Sequence, residues 1–290
     1  MKMNIKADFI ATRTVAAWLA GASVFFALSG VASASPRPLP FTYPYEQLGK
    51  GEAELELYGD MNPLRVLRDP TDLGAGRTWE PQYVLQSEFE YGINDRWELG
   101  FYQVFEANPQ DGGGNTMTFD GFKWRVRTRL AEPGELPVDI AFYLELETLH
   151  DELALEEKIL LQRRFGALRL MANLWVEQEL ERPFDDTPAG KEKELAFIVN
   201  PTFGGTYQIT PTLHLGGEYW ARGMLSPEGD GALEHKNNSV HHFLGPVVHV
   251  NFGHLWWTAG LYAHLNDVNK PQPGEAYGPW WFRTVLGVDL

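Results

Sequence analysis

The chain has 290 residues with 39 acidic and 24 basic side chains, a formal charge of -15 that argues against nucleic acid as a partner. It has no cysteine, which excludes a disulfide framework, a thiolate metal site and a cysteine nucleophile. Mean hydropathy is -0.28, too polar for a bundle of membrane helices, although a strand that is apolar only at alternate positions hides its hydrophobicity from such an average.

Residues 1–34 read as a signal peptide. Lys2, Lys6 and Arg13 form a basic start, an apolar run extends from Val15 to Val31, and Ala32-Ser33-Ala34 fits a small-residue cleavage site. A retained membrane anchor is the competing reading, because the run approaches the length of a spanning helix. The Pro-rich stretch from Ser35 to Pro40 favours cleavage. Residues 35–50 are then expected to be an N-terminal periplasmic segment, and 51–290 a single domain without a composition break.

From residue 51 onward the chain alternates apolar and polar residues, as in Leu55-Glu56-Leu57, Phe89-Glu90-Tyr91 and Leu144-Glu145-Leu146-Glu147. Alternation assigns one residue set to each face of a strand. Here the polar face is often charged along most of a strand, which suits a transmembrane β-barrel with lipid outside and a polar lumen inside. Strands are predicted over residues 51–58, 82–91, 97–105, 119–130, 138–148 and 153–165, and then over 167–180, 194–207, 212–222, 239–250, 255–265 and 280–290. Pro201 and Pro246 fall inside this set and predict a bulge, a break or a strand end, since proline cannot donate to the ladder.

The connections after even strands are short and those after odd strands are mostly long, the fifth-to-sixth connection being the exception. That asymmetry and an even count match bacterial outer-membrane barrels, with short periplasmic turns and longer outer loops. Ten or fourteen strands remain compatible with the pattern. Phe282, Thr284, Leu286, Val288 and Leu290 form one alternate set reaching the terminus. That set resembles the C-terminal signal that such barrels present to the insertion machinery, although Leu290 stands where an aromatic residue is usual.

The segment Glu90-Tyr91-Gly92-Ile93-Asn94-Asp95-Arg96-Trp97-Glu98-Leu99-Gly100 resembles the E-Y-G-L-T-D-R-W-E-L-G hairpin of a family of proteobacterial outer-membrane barrels, the phenol-degradation-pathway (meta-pathway) transporters. The opening Gly51-Glu52-Ala53-Glu54-Leu55-Glu56 is similar to the family's first strand. The resemblance implies an outer-membrane barrel that carries small molecules. Its motif is structural, with Gly92, Asn94 and Asp95 making the turn, so phenol is not carried over as a substrate.

On the fourth strand Lys123, Arg125, Arg127 and Arg129 share a face opposite Phe122, Trp124 and Val126. Neighbouring strands offer Glu88 and Glu90, Glu98, and Asp139, Glu145 and Glu147. These residues are expected to form a lumen charge lattice, which either ties the wall together or also filters solutes. His214, His241, His249, His254 and His264 are candidate lumen histidines. Histidines can ligate zinc or copper, but no H-x-H or HExxH spacing occurs, so no metal and no cofactor are expected. Asp111-Gly112-Gly113-Gly114-Asn115 lacks the Lys-Ser/Thr ending of a phosphate loop and reads as an outer loop.

The expected protein is all-β, a single antiparallel transmembrane β-barrel of about twelve strands in the outer membrane of a Gram-negative bacterium. Its expected partners are outer-membrane lipid and lipopolysaccharide, the barrel-insertion machinery and a small-molecule solute. Passive passage of small apolar or aromatic molecules is the leading function. A non-conducting structural barrel with a charge-filled lumen is the alternative. A lipid-modifying hydrolase is the second, disfavoured because Ser87 and Ser239 lack the expected histidine pairing.

Overall fold

The computed structural model describes residues 37–67, 77–109, 116–150, 152–181, 195–228, 232–234, 240–266 and 277–290. The expected signal peptide, the glycine-rich loop at 111–115 and Ser239 lie outside these residues. The described residues form fourteen strands. In chain order they are β1 Ala53–Leu67, β2 Arg77–Asn94, β3 Trp97–Ala107, β4 Thr118–Arg129, β5 Asp139–Leu149, β6 Glu152–Phe165 and β7 Leu168–Glu181. They continue with β8 Leu195–Val199, β9 Thr202–Gln208, β10 Leu213–Glu228, β11 Ala232–Glu234, β12 His241–Asn251, β13 Leu255–His264 and β14 Trp280–Asp289.

Every pairing is antiparallel, and the sheet closes where β1 meets β14, from Glu54↔Asp289 to Met61↔Phe282. β8 and β9 share one lane between β7 and β10, and β11 only folds back on the end of β10, so the barrel wall has twelve staves. The break between β8 and β9 falls at Asn200-Pro201, where proline removes a ladder donor. Pro246 is absorbed within β12: its ladder to β13 is regular at Leu244↔Ala263 and again at Val247↔Gly260, with Gly245 and Pro246 unpaired between them. Several strands run past their predicted ends, β1 to Leu67 and β2 back to Arg77, because these extensions lack strict alternation.

One end of the barrel carries the short connections, such as Gly166-Ala167 between β6 and β7. Gly166 there takes a positive φ of 60°, open to glycine at little cost. This is the turn end; the other is the loop end. Leu57, Phe89, Trp124, Leu144, Leu174 and Leu261 all face outward and are exposed, forming an apolar belt around the wall. In water each such side chain would forgo roughly 1.5–3 kcal/mol of burial; in a bilayer the belt is solvated. Tyr91, Trp97, Phe165, Tyr207 and Phe252 are exposed near the turn end, where rings sit well at a headgroup interface.

The alternate set faces inward and is largely polar: Glu56, Glu88, Glu98, Arg125, Glu145 and Glu177 are all buried. A labelling experiment checks this register. Cysteine at 177 or 179 should react with a water-soluble thiol reagent. Cysteine at 174 or 176 should instead be quenched from the lipid phase. The opposite result would mean a one-residue slip, which turns every side chain to the other face.

Candidate functional site: a plugged lumen and the cavity above it

The predicted charge lattice assembles on β2 to β5. Arg125 of β4 lies 3.0 Å from Glu88, 2.7 Å from Glu90 and 2.8 Å from Glu98. It reaches across β3 because Gly100 leaves room; a Cβ there would stand 2.5 Å from the Arg125 Nε and 2.7 Å from a Glu88 oxygen. Arg127 holds the same Glu98 at 2.7 Å. Lys123 pairs with Glu147 at 2.7 Å and approaches Glu145 at 3.7 Å. Two predicted members lie apart from this group. Arg129 turns toward the rim and pairs with Glu132 at 3.0 Å, while Asp139 accepts the Gly134 N–H at 2.7 Å and fastens the β4–β5 turn.

The candidate lumen histidines divide in the same way. His249 is fully buried and shares a 2.7 Å hydrogen bond with Thr258, its ring edge-on to half-buried His214. His241 and His264 face each other across β12 and β13 at 3.0 Å. His254 corrects the expectation: it sits in the β12–β13 turn with an exposed ring, 3.5 Å from Asp289, because alternation assigns a face only within a strand and says nothing of a turn. Ser87 pairs with Leu57 and Gln103 across the ladder, with no histidine opposite it.

The largest departure from expectation is the segment before β1. From the sequence, residues 35–50 are expected in the periplasm. Residues 37–45 are instead buried, and their partners are inward-facing residues of strands all round the wall. The chain enters at the turn end, where the Leu48 N–H donates to Glu98 at 2.7 Å. It passes so close to β2 that a Cβ on Gly92 would lie 2.0 Å from the Gly49 carbonyl oxygen, so this glycine of the hairpin motif also admits the segment. The Tyr45 hydroxyl donates to the Ala131 carbonyl, and the Asn173 amide donates to the Tyr43 carbonyl at 3.3 Å.

The segment then crosses to the opposite wall. The N–H groups of Phe41 and Thr42 donate to the Glu218 carboxylate of β10, which also accepts from the Tyr262 hydroxyl. The Phe41 ring stacks on Trp220 at 4.5 Å, and Trp220 stacks on Phe243 at 4.0 Å. Arg37 returns toward β1, 2.7 Å from the Tyr58 hydroxyl and 3.5 Å from the centre of the Tyr43 ring. Pro38, Pro40 and Pro44 suit this path, since they hold φ extended and demand no ladder acceptor. A signal was present in the sequence: Leu39, Phe41, Tyr43 and Tyr45 alternate through the segment, which in a free tail would leave four apolar side chains in water.

Toward the loop end this plug forms the floor of a cavity of about 430 Å³. Phe41 and Tyr43 line it from below. Carboxylates of β5 to β7 line one side, and Trp220, Tyr277 and Trp281 line the other. Among the carboxylates, Glu145, Glu147 and Glu156 bring oxygens within 4.8 Å of one another, as do Glu152, Glu177 and Glu179. Lys158 and Arg222 stand among them, Arg222 hydrogen-bonded to Glu179 at 2.5 Å.

No protein-family model matches the sequence, and no curated protein does so either. Among solved structures the chain is similar to the COG4313 outer membrane channel from Pseudomonas putida F1, with a TM-score of 0.58, 12% identity, and coverage of 85% of this chain and 98% of that one. It is also similar to the NanC porin, with a TM-score of 0.52, 7% identity, and coverage of 81% and 98%. At these identities the likeness is one of fold: the chain is a twelve-stave antiparallel barrel of the kind found in outer-membrane channels and porins.

Proposed function

We propose that the protein is an outer-membrane channel for small organic solutes, with its N-terminal segment as an internal constriction. The observation that carries this reading is the cavity of about 430 Å³ whose floor is made by Phe41 and Tyr43. A lumen that served only as scaffold would gain by filling that space with side chains, whereas sites of roughly 300–1,000 Å³ suit small ligands. In outer-membrane barrels long connections face the exterior. That orientation makes the cavity an outer vestibule and puts the plug toward the periplasm. The apolar belt would contact outer-membrane lipid and lipopolysaccharide, and β14 would present the closing strand to the insertion machinery. The hairpin resemblance agrees with an outer-membrane barrel that carries small molecules.

The scaffold reading has one observation in its favour: the plug and the Arg125 lattice together leave little open lumen on the turn side. Liposomes containing the purified mature protein separate the two. Uptake of small aromatic solutes above protein-free liposomes is the expected result. No flux from either the whole chain or a plug-deleted chain would leave the scaffold reading standing.

A further inference from the structure

The cavity lining is lopsided in charge and in chemistry. It carries eight carboxylates (Glu106, Asp120, and six on β5 to β7) against the four basic residues Lys123, Lys158, Arg222 and Arg283. Arg283 is already committed to Asp60 at 2.7 Å. A lumen with this excess attracts cations and repels anions, and does so more strongly than an open surface because field lines are focused between low-dielectric walls. Opposite the carboxylates stand rings: Trp281 lies edge-on to Trp220 at 5.5 Å and 6.2 Å from Tyr277. Rings of this kind take up an apolar body and favour a cation near their faces.

One further feature marks a missing partner. Asn200 is 2% exposed and its amide donates to Glu177 at 3.2 Å, yet its Oδ1 has no donor. Asn200 lines the cavity. Buried polar atoms are normally satisfied, and the Asn200 oxygen beside a carboxylate calls for an N–H donor. The lumen already holds one primary ammonium in this manner: Lys158 Nζ pairs with Glu156 and sits 4.4, 4.2 and 3.9 Å from the centres of the Tyr43, Tyr143 and Trp175 rings.

We propose that the cavity is a binding site for organic ammonium ions bearing an apolar or aromatic body. The ammonium would lie against Glu177 and the Asn200 oxygen, and the body against Trp281 and Tyr277. This rests on the channel reading, of which the site would be the selective entry.

Calorimetry on the purified mature barrel in detergent tests it with three probes of one shape: 2-phenylethylammonium, 2-phenylethanol and phenylacetate. The ammonium should bind at least about tenfold tighter than the alcohol, a difference of about 1.4 kcal/mol, and phenylacetate should give no heat. Glu177→Gln should remove most of that preference. Trp281→Ala should weaken both. Glu152→Gln, nearer the rim, supplies a second charge variant should Glu177→Gln not fold, as judged by heat-modifiable migration. Equal binding of the three probes, or displacement of the ammonium by magnesium at similar concentration, would overturn the proposal. Liposome flux is read separately. Binding without flux removes the channel reading and keeps the site; flux without ammonium preference removes the site and keeps the channel.

Discussion

Deletion of residues 37–47 is expected to convert a constricted barrel into an open one, with single-channel conductance rising several-fold. The segment spans the lumen from the β5–β6 side at Tyr45 to the β10–β13 side at Phe41, and every link it makes there is to a wall side chain or a wall carbonyl. Its removal takes nothing from the ladder, since β1 still pairs with β2 and β14. The barrel should therefore fold and migrate as a heat-modifiable species. It should also melt at lower temperature, because Trp220 loses the stacking partner on one face and Glu218 loses the two N–H donors of Phe41 and Thr42. Planar-bilayer recording of the two proteins decides the point. Equal conductance would show that the narrowest part of the pathway lies elsewhere.

Arg125→Ala should be the most damaging single substitution in the wall. The guanidinium is buried and stands within 3.0 Å of three buried carboxylates. Buried ion pairs contribute little net stability against an apolar replacement, yet removing one partner leaves the others uncompensated and costs roughly 3–5 kcal/mol. The expected readout is a marked fall in the temperature at which the compact electrophoretic form is lost. Adding Glu90→Gln to the Arg125→Ala chain should recover part of that fall, since one surplus charge is gone. If the double substitution is no more stable than the single one, the loss comes from packing rather than charge.

Much of the barrel was legible because its information is local. Alternation in β4 places Trp124 outside and Arg125 inside without knowledge of any other strand. Pro201 announces the break between β8 and β9 by its own chemistry. The lattice was legible one step further, since charges on adjacent staves meet whenever the faces are right. What escaped was decided by distant partners. Thr42 meets Glu218 across 176 positions of sequence, and no period relates the two. The cavity shared this fate: Glu177 and Trp281 could each be assigned to the lumen, but their placement on opposite sides of one space follows from barrel closure. His254 was misplaced for a simpler reason, because it belongs to a turn, where the face rule ends.

The route of the N-terminal segment also governs the order of assembly. Although it is the earliest of the described residues to be made, its docking groups Glu218, Thr258 and Tyr262 belong to β10 and β13, in the last third of the chain. The half from Arg37 to Thr42 therefore has no seat until those staves exist, whereas Tyr43, Tyr45 and Leu48 dock on β3 to β7, and the seam between β1 and β14 closes beside the point where the segment enters. Such sequence-distant contacts make for slow folding. Final threading of the segment and closure of the wall become coupled late events, so a chain truncated before β13 would present both an open edge and a segment lacking its Thr258 and Tyr262 anchors.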